Sequence, residues 1–223
     1  VKVLVTAGGT EEPLDGVRFI GNLSTGSTGL EIARTFNAHG WDVCLLHGRR
    51  VDTTGLGCET NAFRTFDDLE SSLKGLLETR HFDAVVHLAA VSDYRLASIE
   101  LDGEKLTTGT PGKIESGHEL VLRLLPNPKL LDSLQHWSLN PDIRIVAFKL
   151  TNDPDPGRRK AAIQDLLARE TAELVVHNDL EEIGHGLHPA AIYTRRGLLG
   201  MTGTKTELAM ALMRILDNDE SSS

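Results

Sequence analysis

Five segments of this chain, "VKVLVTA", "DVCLLH", "DAVVHLAA", "IRIVAF" and "ELVVH", are almost continuously apolar, and stretches with helical spacing separate them. A strand that is apolar on both sides must be covered on both faces, and a parallel sheet between two helix layers supplies that cover. The expected fold is therefore α/β: a Rossmann-like three-layer arrangement with a mostly parallel sheet. The chain of 223 residues is long enough for one such core, with one domain expected over 1–216 and a disordered tail over 217–223.

The intervening segments fit this frame. "TGLEIARTFNAHG" sets Leu30, Ala33, Phe36 and Asn37 at helical spacing and stops at Gly40, starting near Thr28. "DDLESSLKGLLETR" reads as a second helix with Asp67 available as its cap, and "NPKLLDSLQHW", "GRRKAAIQDLLARE" and "TKTELAMALMRIL" as three more. "AAIYTRRGLLGMTG" reads as a strand pair turning at Arg196 and Gly197. Over about 94–117 the periodicity gives way to Gly, Thr and charge, which suggests a flexible flap or hairpin insertion.

Composition narrows the function. No apolar run approaches the ~20 residues that span a bilayer, and the first residues alternate as a strand, so a cytoplasmic protein without membrane contact is expected. The net charge of −9 disfavours nucleic-acid binding, which depends on clustered Lys and Arg. Cys44 and Cys58 lack CxxC spacing, and His185 and His188 in "GHGLHP" read as loop residues, so no metal site is expected.

In an open α/β sheet, ligands bind beyond the carboxyl ends of the strands. Here a long polar stretch, "GGTEEPLDGVRFIGNLSTGSTG", separates the first strand from its helix. Gly26 and Gly29 can expose backbone N–H groups to an anion at the helix start. The spacing matches neither GxGxxG nor the Walker pattern. Arg18 and Asn22 bracket the run with a permanent cation and an amide that both donates and accepts, a pair suited to a carboxylate that becomes an acyl intermediate; a surface salt bridge for Arg18 and a turn residue for Asn22 are the alternatives. Lys113 lies in the flap between Gly112 and Gly117, where it could close over a polyphosphate; a solvated loop lysine is the alternative. Asp93 could hold a sugar hydroxyl or cap a turn. Lys149 ends an apolar strand, where an unpaired ammonium is costly to bury, so it is expected to face the anionic crevice.

Taken in order, "TAGGTEEPLDGVRFIGNLSTGSTG", "AAVSDYR", "GKIESG", "LLPNPKLL", "VAFKLTND" and "VVHND" resemble the phosphopantothenoylcysteine synthetases, the phosphopantothenate–cysteine ligases of coenzyme A biosynthesis, over nearly the whole chain. The resemblance implies that the carboxylate of 4′-phosphopantothenate attacks a nucleoside triphosphate, CTP or ATP with Mg²⁺. Pyrophosphate leaves, and L-cysteine then displaces the nucleotide from the acyl intermediate. It assigns Asn22, Arg18 and Lys113 to catalysis. Gly9, Ser24, Gly26 and Gly29 would line the substrate loop and the nucleotide. Ala89, Asp93, Pro128, Leu130, Leu131 and Phe148 would surround the base and ribose, with Lys149 supplying charge where Leu166 and Glu170 replace helix lysines. A homodimer is implied. The FMN-binding half of fused members lies outside this sequence, so no flavin is implied. Two other readings stay open: an NAD(P)-dependent short-chain-type reductase, which "VSDYRLAS" disfavours by lacking the Tyr-x-x-x-Lys pair, and a non-catalytic nucleotide-binding module.

Overall fold

A computed structural model describes residues 1–106, 112–169, 171–184 and 187–217. The expected positions Glu170 and His185, the central part of the flap and nearly all of the tail lie outside them. In chain order the elements are β1 (Lys2–Ala7), β2 (Glu11–Pro13), β3 (Phe19–Gly21), α1 (Ser27–Ala38), β4 (Asp42–Gly48), β5 (Glu59–Phe63) and α2 (Phe66–Thr79). They continue with β6 (Ala84–His87), β7 (Tyr94–Leu101), β8 (Glu104–Leu106), β9 (Leu120–Pro126) and α3 (Leu134–Trp137). The last are β10 (Arg144–Thr151), α4 (Pro156–Leu167), β11 (Leu174–Asp179), β12 (Ala190–Thr194), β13 (Gly197–Thr202) and α5 (Lys205–Asp217).

The central sheet runs β13-β12-β11-β10-β6-β1-β4-β5. Its pairs are parallel from β5 through β11, and the edge hairpin β12–β13 is antiparallel. Side chains alternate between two cores. Val3, Val5 and Ala7 face Ile32, Phe36, Leu208 and Leu212 of α1 and α5. Leu4 faces the other way, into the layer that holds Leu73, Leu77, Leu134 and Ile163 of α2, α3 and α4. This is the three-layer fold that the apolar strands require.

Three details differ from the sequence expectation, and a fourth decides between two expected forms. The cap of α2 is Thr65, not Asp67: its side chain accepts from Asp68 N while Asp68 accepts from Thr65 N, which satisfies two orphan amides together. "NPKLLDSLQHW" forms a 3₁₀ turn at Leu130–Ser133 and only one turn of α-helix. β5, an unexpected strand, adds the edge beyond β4. Of the two forms expected for the flap region, the described residues include the hairpin, with β7 paired to β8 and also to β9 in an antiparallel arm. Asp102 and Gly103, at φ 50 and 85, make its first turn, and an Asp-Gly pair between strands is a strong signal for such a hairpin.

Candidate active site

Strand order reverses between β1 and β6: the chain moves outward from β1 to β4 and β5, then returns to place β6 on the other side of β1. At this switch point the loops after both strands splay, and a crevice forms there. The two loops are stitched together. Ala90 N donates to Gly8 O at 2.8 Å, Thr10 N to Ala90 O at 3.2 Å, and Ser92 N to Thr10 Oγ1 at 2.8 Å. Thr6 Oγ1 accepts from Leu88 N and Ala89 N, which fixes the turn after β6. The resulting cavity is about 900 Å³, large enough for a nucleotide and a second small substrate.

Three glycines set its floor. A side chain on Gly29 would place Cβ 2.6 Å from the Ala7 side chain, so only glycine lets α1 sit this close to β1. Gly26 caps α1 in the left-handed conformation, φ 71, with no side-chain cap; Ser27 N donates to Thr25 Oγ1 at 3.4 Å, and the Thr28 and Gly29 amides that follow meet no capping side chain. Gly8 and Gly26 both pack on Val51 Cγ2, which joins the ends of β1, α1 and β4 in one contact. Asn22 is exposed on the rim. Its Nδ2 donates to Ala90 O at 3.2 Å and Val91 O at 3.1 Å, so its Oδ1 is the amide atom not spent on the backbone.

Electrostatics differ around the walls. Lys129 pairs with Asp93, and Arg50 pairs with buried Glu11 at 2.8 Å while stacking 4.4 Å from the Phe19 ring. Among the described residues, Lys149 and Lys205 have no carboxylate within ion-pair distance. Burial pushes the His87 imidazole down to about 4, so it lines the crevice as a neutral ring beside Thr6 Oγ1 at 3.1 Å.

Arg18 and Lys113 are placed differently. Arg18 donates from Nε and Nη2 to Asp15 Oδ2 at 2.9 and 2.6 Å, and from Nη2 to Ile114 O at 2.7 Å. Ile114 N donates back to Asp15 Oδ2 at 3.0 Å, and Gly16 N to Gly112 O at 3.2 Å. The flap is thereby fastened to the β2–β3 loop. The Arg18 guanidinium, followed by several backbone amides, holds the Asp15 carboxyl well below the usual carboxylate range despite its burial. Lys113 is exposed next to this clamp, and neither it nor Arg18 lines the cavity.

Residues 1–218 match the family described as DNA/pantothenate metabolism flavoprotein C-terminal domain. The chain belongs to this family. Curated members share 31% identity over 82% of this chain in Thermococcus kodakarensis and 39% over 81% in Mycobacterium bovis, both named coenzyme A biosynthesis bifunctional protein CoaBC. The chain spans 42% of the length of each. Among solved structures, the DNA/pantothenate metabolism flavoprotein from Streptococcus pneumoniae is 28% identical with a TM-score of 0.82, covering 97% of this chain and 98% of its own. A Cab2 mutant H337A complex with phosphopantothenate-cysteine shares the fold at 20% identity and a TM-score of 0.75, covering 97% of this chain and 86% of its own.

Twelve of the residues expected from sequence to act in catalysis or nucleotide binding line one cavity. They are Gly9, Asn22, Ser24, Gly26, Gly29, Ala89, Asp93, Pro128, Leu130, Leu131, Phe148 and Lys149. Lys129, inside the expected segment from Pro128 to Leu131, lines it too, as do Thr28, His188 and Lys205, which the sequence reading missed. His188 and Lys205 arrive from the far end of the chain, and only packing reveals them.

Proposed function

We propose that this member of the family is a phosphopantothenate–cysteine ligase. The carrying observation is the crevice itself: a cavity at the switch point with an open helix N-terminus on one wall and an outward-facing amide oxygen on the rim. The names of the relatives, and the phosphopantothenate-cysteine in the Cab2 complex, support the choice of substrates.

The reaction needs a carboxylate converted into an acylating agent. The carboxylate oxygen of 4′-phosphopantothenate forms a bond to the α-phosphorus of CTP or ATP, and the bond to the pyrophosphate oxygen breaks. The amine of L-cysteine then attacks the acyl carbon, loses a proton, and the nucleoside monophosphate departs. Positioning and charge stabilisation are the protein's tasks. The α1 amides face phosphoryl oxygens, and Asn22 Oδ1 accepts from the attacking amine. Lys149 and Phe148 meet the nucleotide from β10. Arg18 acts through the flap that carries Lys113, since its own donors are committed to Asp15 and Ile114. Mg²⁺ accompanies the triphosphate and neutralises its charge. The protein works in the cytoplasm as a homodimer, with the arm that exposes Tyr94, Val121, Leu124 and Leu125 as its contact surface.

Pyrophosphate release, measured with phosphopantothenate, cysteine and each triphosphate in turn, tests the reading. Release that needs phosphopantothenate, with amide formation that needs cysteine, is expected. Nucleotide binding without release would reduce the protein to a binding module.

A further inference from the structure

Ser27 and Thr28, the first two residues of α1, have hydroxyls that accept from neighbouring side chains. Ser27 Oγ receives Lys205 Nζ at 2.6 Å and Thr25 Oγ1 at 2.9 Å. A hydroxyl that accepts two hydrogen bonds keeps its own hydrogen to donate. Thr28 Oγ1 lies 3.2 Å from His188 Nε2. His188 is 9% exposed and lines the crevice, and its Nδ1 is buried without a partner among the described residues. Burial, and secondarily Lys205, keeps this ring neutral. A neutral ring carries one proton, and a buried N–H left unpaired costs more than an unpaired lone pair. The proton therefore belongs on Nε2, which donates to Thr28 and leaves the Thr28 hydrogen to point elsewhere.

Lys205 is the first residue of α5, so its ammonium sits at the positive end of its own helix and reaches the positive end of α1. A cation is electrostatically misplaced there unless an anion joins it. The adjacent acids do not fill that role: Glu31 accepts from Thr206 at 2.7 Å and pairs with Arg34, and Glu207 accepts from Gly203 N at 2.7 Å. This wall consequently offers an ammonium, two hydroxyl hydrogens and the α1 amides, all donors.

We propose that Lys205, Ser27 and Thr28, with His188 fixing the direction of the Thr28 hydroxyl, form a donor-only subsite for a phosphoryl group, and that Lys205 is its direct ligand from the closing helix. The ligase reading supplies two sources, the triphosphate and the phosphate of phosphopantothenate; the subsite itself requires only phosphoryl oxygens. His188 is a positioning residue.

Calorimetric titration of the full chain with inorganic pyrophosphate, CTP, ATP, 4′-phosphopantothenate and pantothenate tests this. Lys205→Gln is expected to weaken one phosphorylated class at least tenfold, with pantothenate unaffected and most of the loss restored in Lys205→Arg. Loss confined to pyrophosphate and nucleotide assigns the subsite to the triphosphate; loss confined to phosphopantothenate assigns it to that substrate. Thr28→Val is expected to weaken the same class, and His188→Phe to do so with unchanged melting temperature in Lys205→Gln as the folding control. Wild-type affinities in a folded Lys205→Gln, or no phosphorylated ligand bound by the wild type, would overturn the subsite. Failure of the ligase reading shows separately, as binding without pyrophosphate release.

Discussion

At the scale of single residues, the site is held by groups whose hydrogen-bonding directions are already decided. Asn22 spends both amide hydrogens on the backbone of the loop after β6, so its Oδ1 cannot rotate away. Asn22→Ala is expected to release pyrophosphate normally and to slow amide formation by roughly one to two orders of magnitude, the effect of losing one strong hydrogen bond made in the transition state; quenched-flow separation of the two steps checks it. Glycines give the stability counterpart. Gly29→Ala gains helix propensity of about 1 kcal/mol but forces Cβ onto Ala7, and overpacking of about 1–3 kcal/mol wins. Gly75→Ala, in the exposed middle of α2 with nothing within 4 Å, keeps the gain of about 0.5–1 kcal/mol. Urea denaturation should move the two midpoints in opposite directions.

At the scale of elements, the β2–β3 loop and the returning flap behave as one unit because Asp15 reads both the N–H of Ile114 and the guanidinium that reads its C=O. Asp15→Ala is expected to raise hydrogen exchange at Ile114 at least tenfold and to lower ligation, with the core amides of β1 and β6 unchanged. Because Asp15 titrates below its ordinary value, the clamp is fully present above about pH 4. It weakens only as pH falls further, so corrected exchange at pH 5 and pH 7 should agree. The core strands, and with them the layers, were legible in sequence because burial on both faces leaves an unbroken apolar run. The arm was less legible: β7 and β9 are half-exposed and mix charge with apolar residues, so Asp102-Gly103 was its clearest local mark. Asp67 was the natural cap by composition, yet Thr65 won because a capping box satisfies two amides where a lone carboxylate satisfies one.

For the whole molecule, the arm projects apolar side chains that its own sheet does not cover: Tyr94, Val121, Leu124 and Leu125 are 37–54% exposed. Sedimentation equilibrium is expected to give twice the chain mass of 24.3 kDa, and Leu124→Arg with Leu125→Asp to give the monomer. Twelve crevice residues could be named from motifs because each lies beside a strand end or helix start near in sequence. Lys205 and His188 could not, since nothing local marks a residue that matters through contacts across the chain. Lys205 and Ser27 are 178 positions apart, and His188 and Thr28 are 160 apart. Those separations bear on biosynthesis. At translation rates of roughly 5–20 residues per second, Ser27 leaves the ribosome about 10–35 s before Lys205 does. The strands around β1 can pair during that delay, but the proposed phosphoryl wall is incomplete until α5 docks on α1. Full affinity for a phosphorylated ligand is therefore reached only after α5 has been made and has docked.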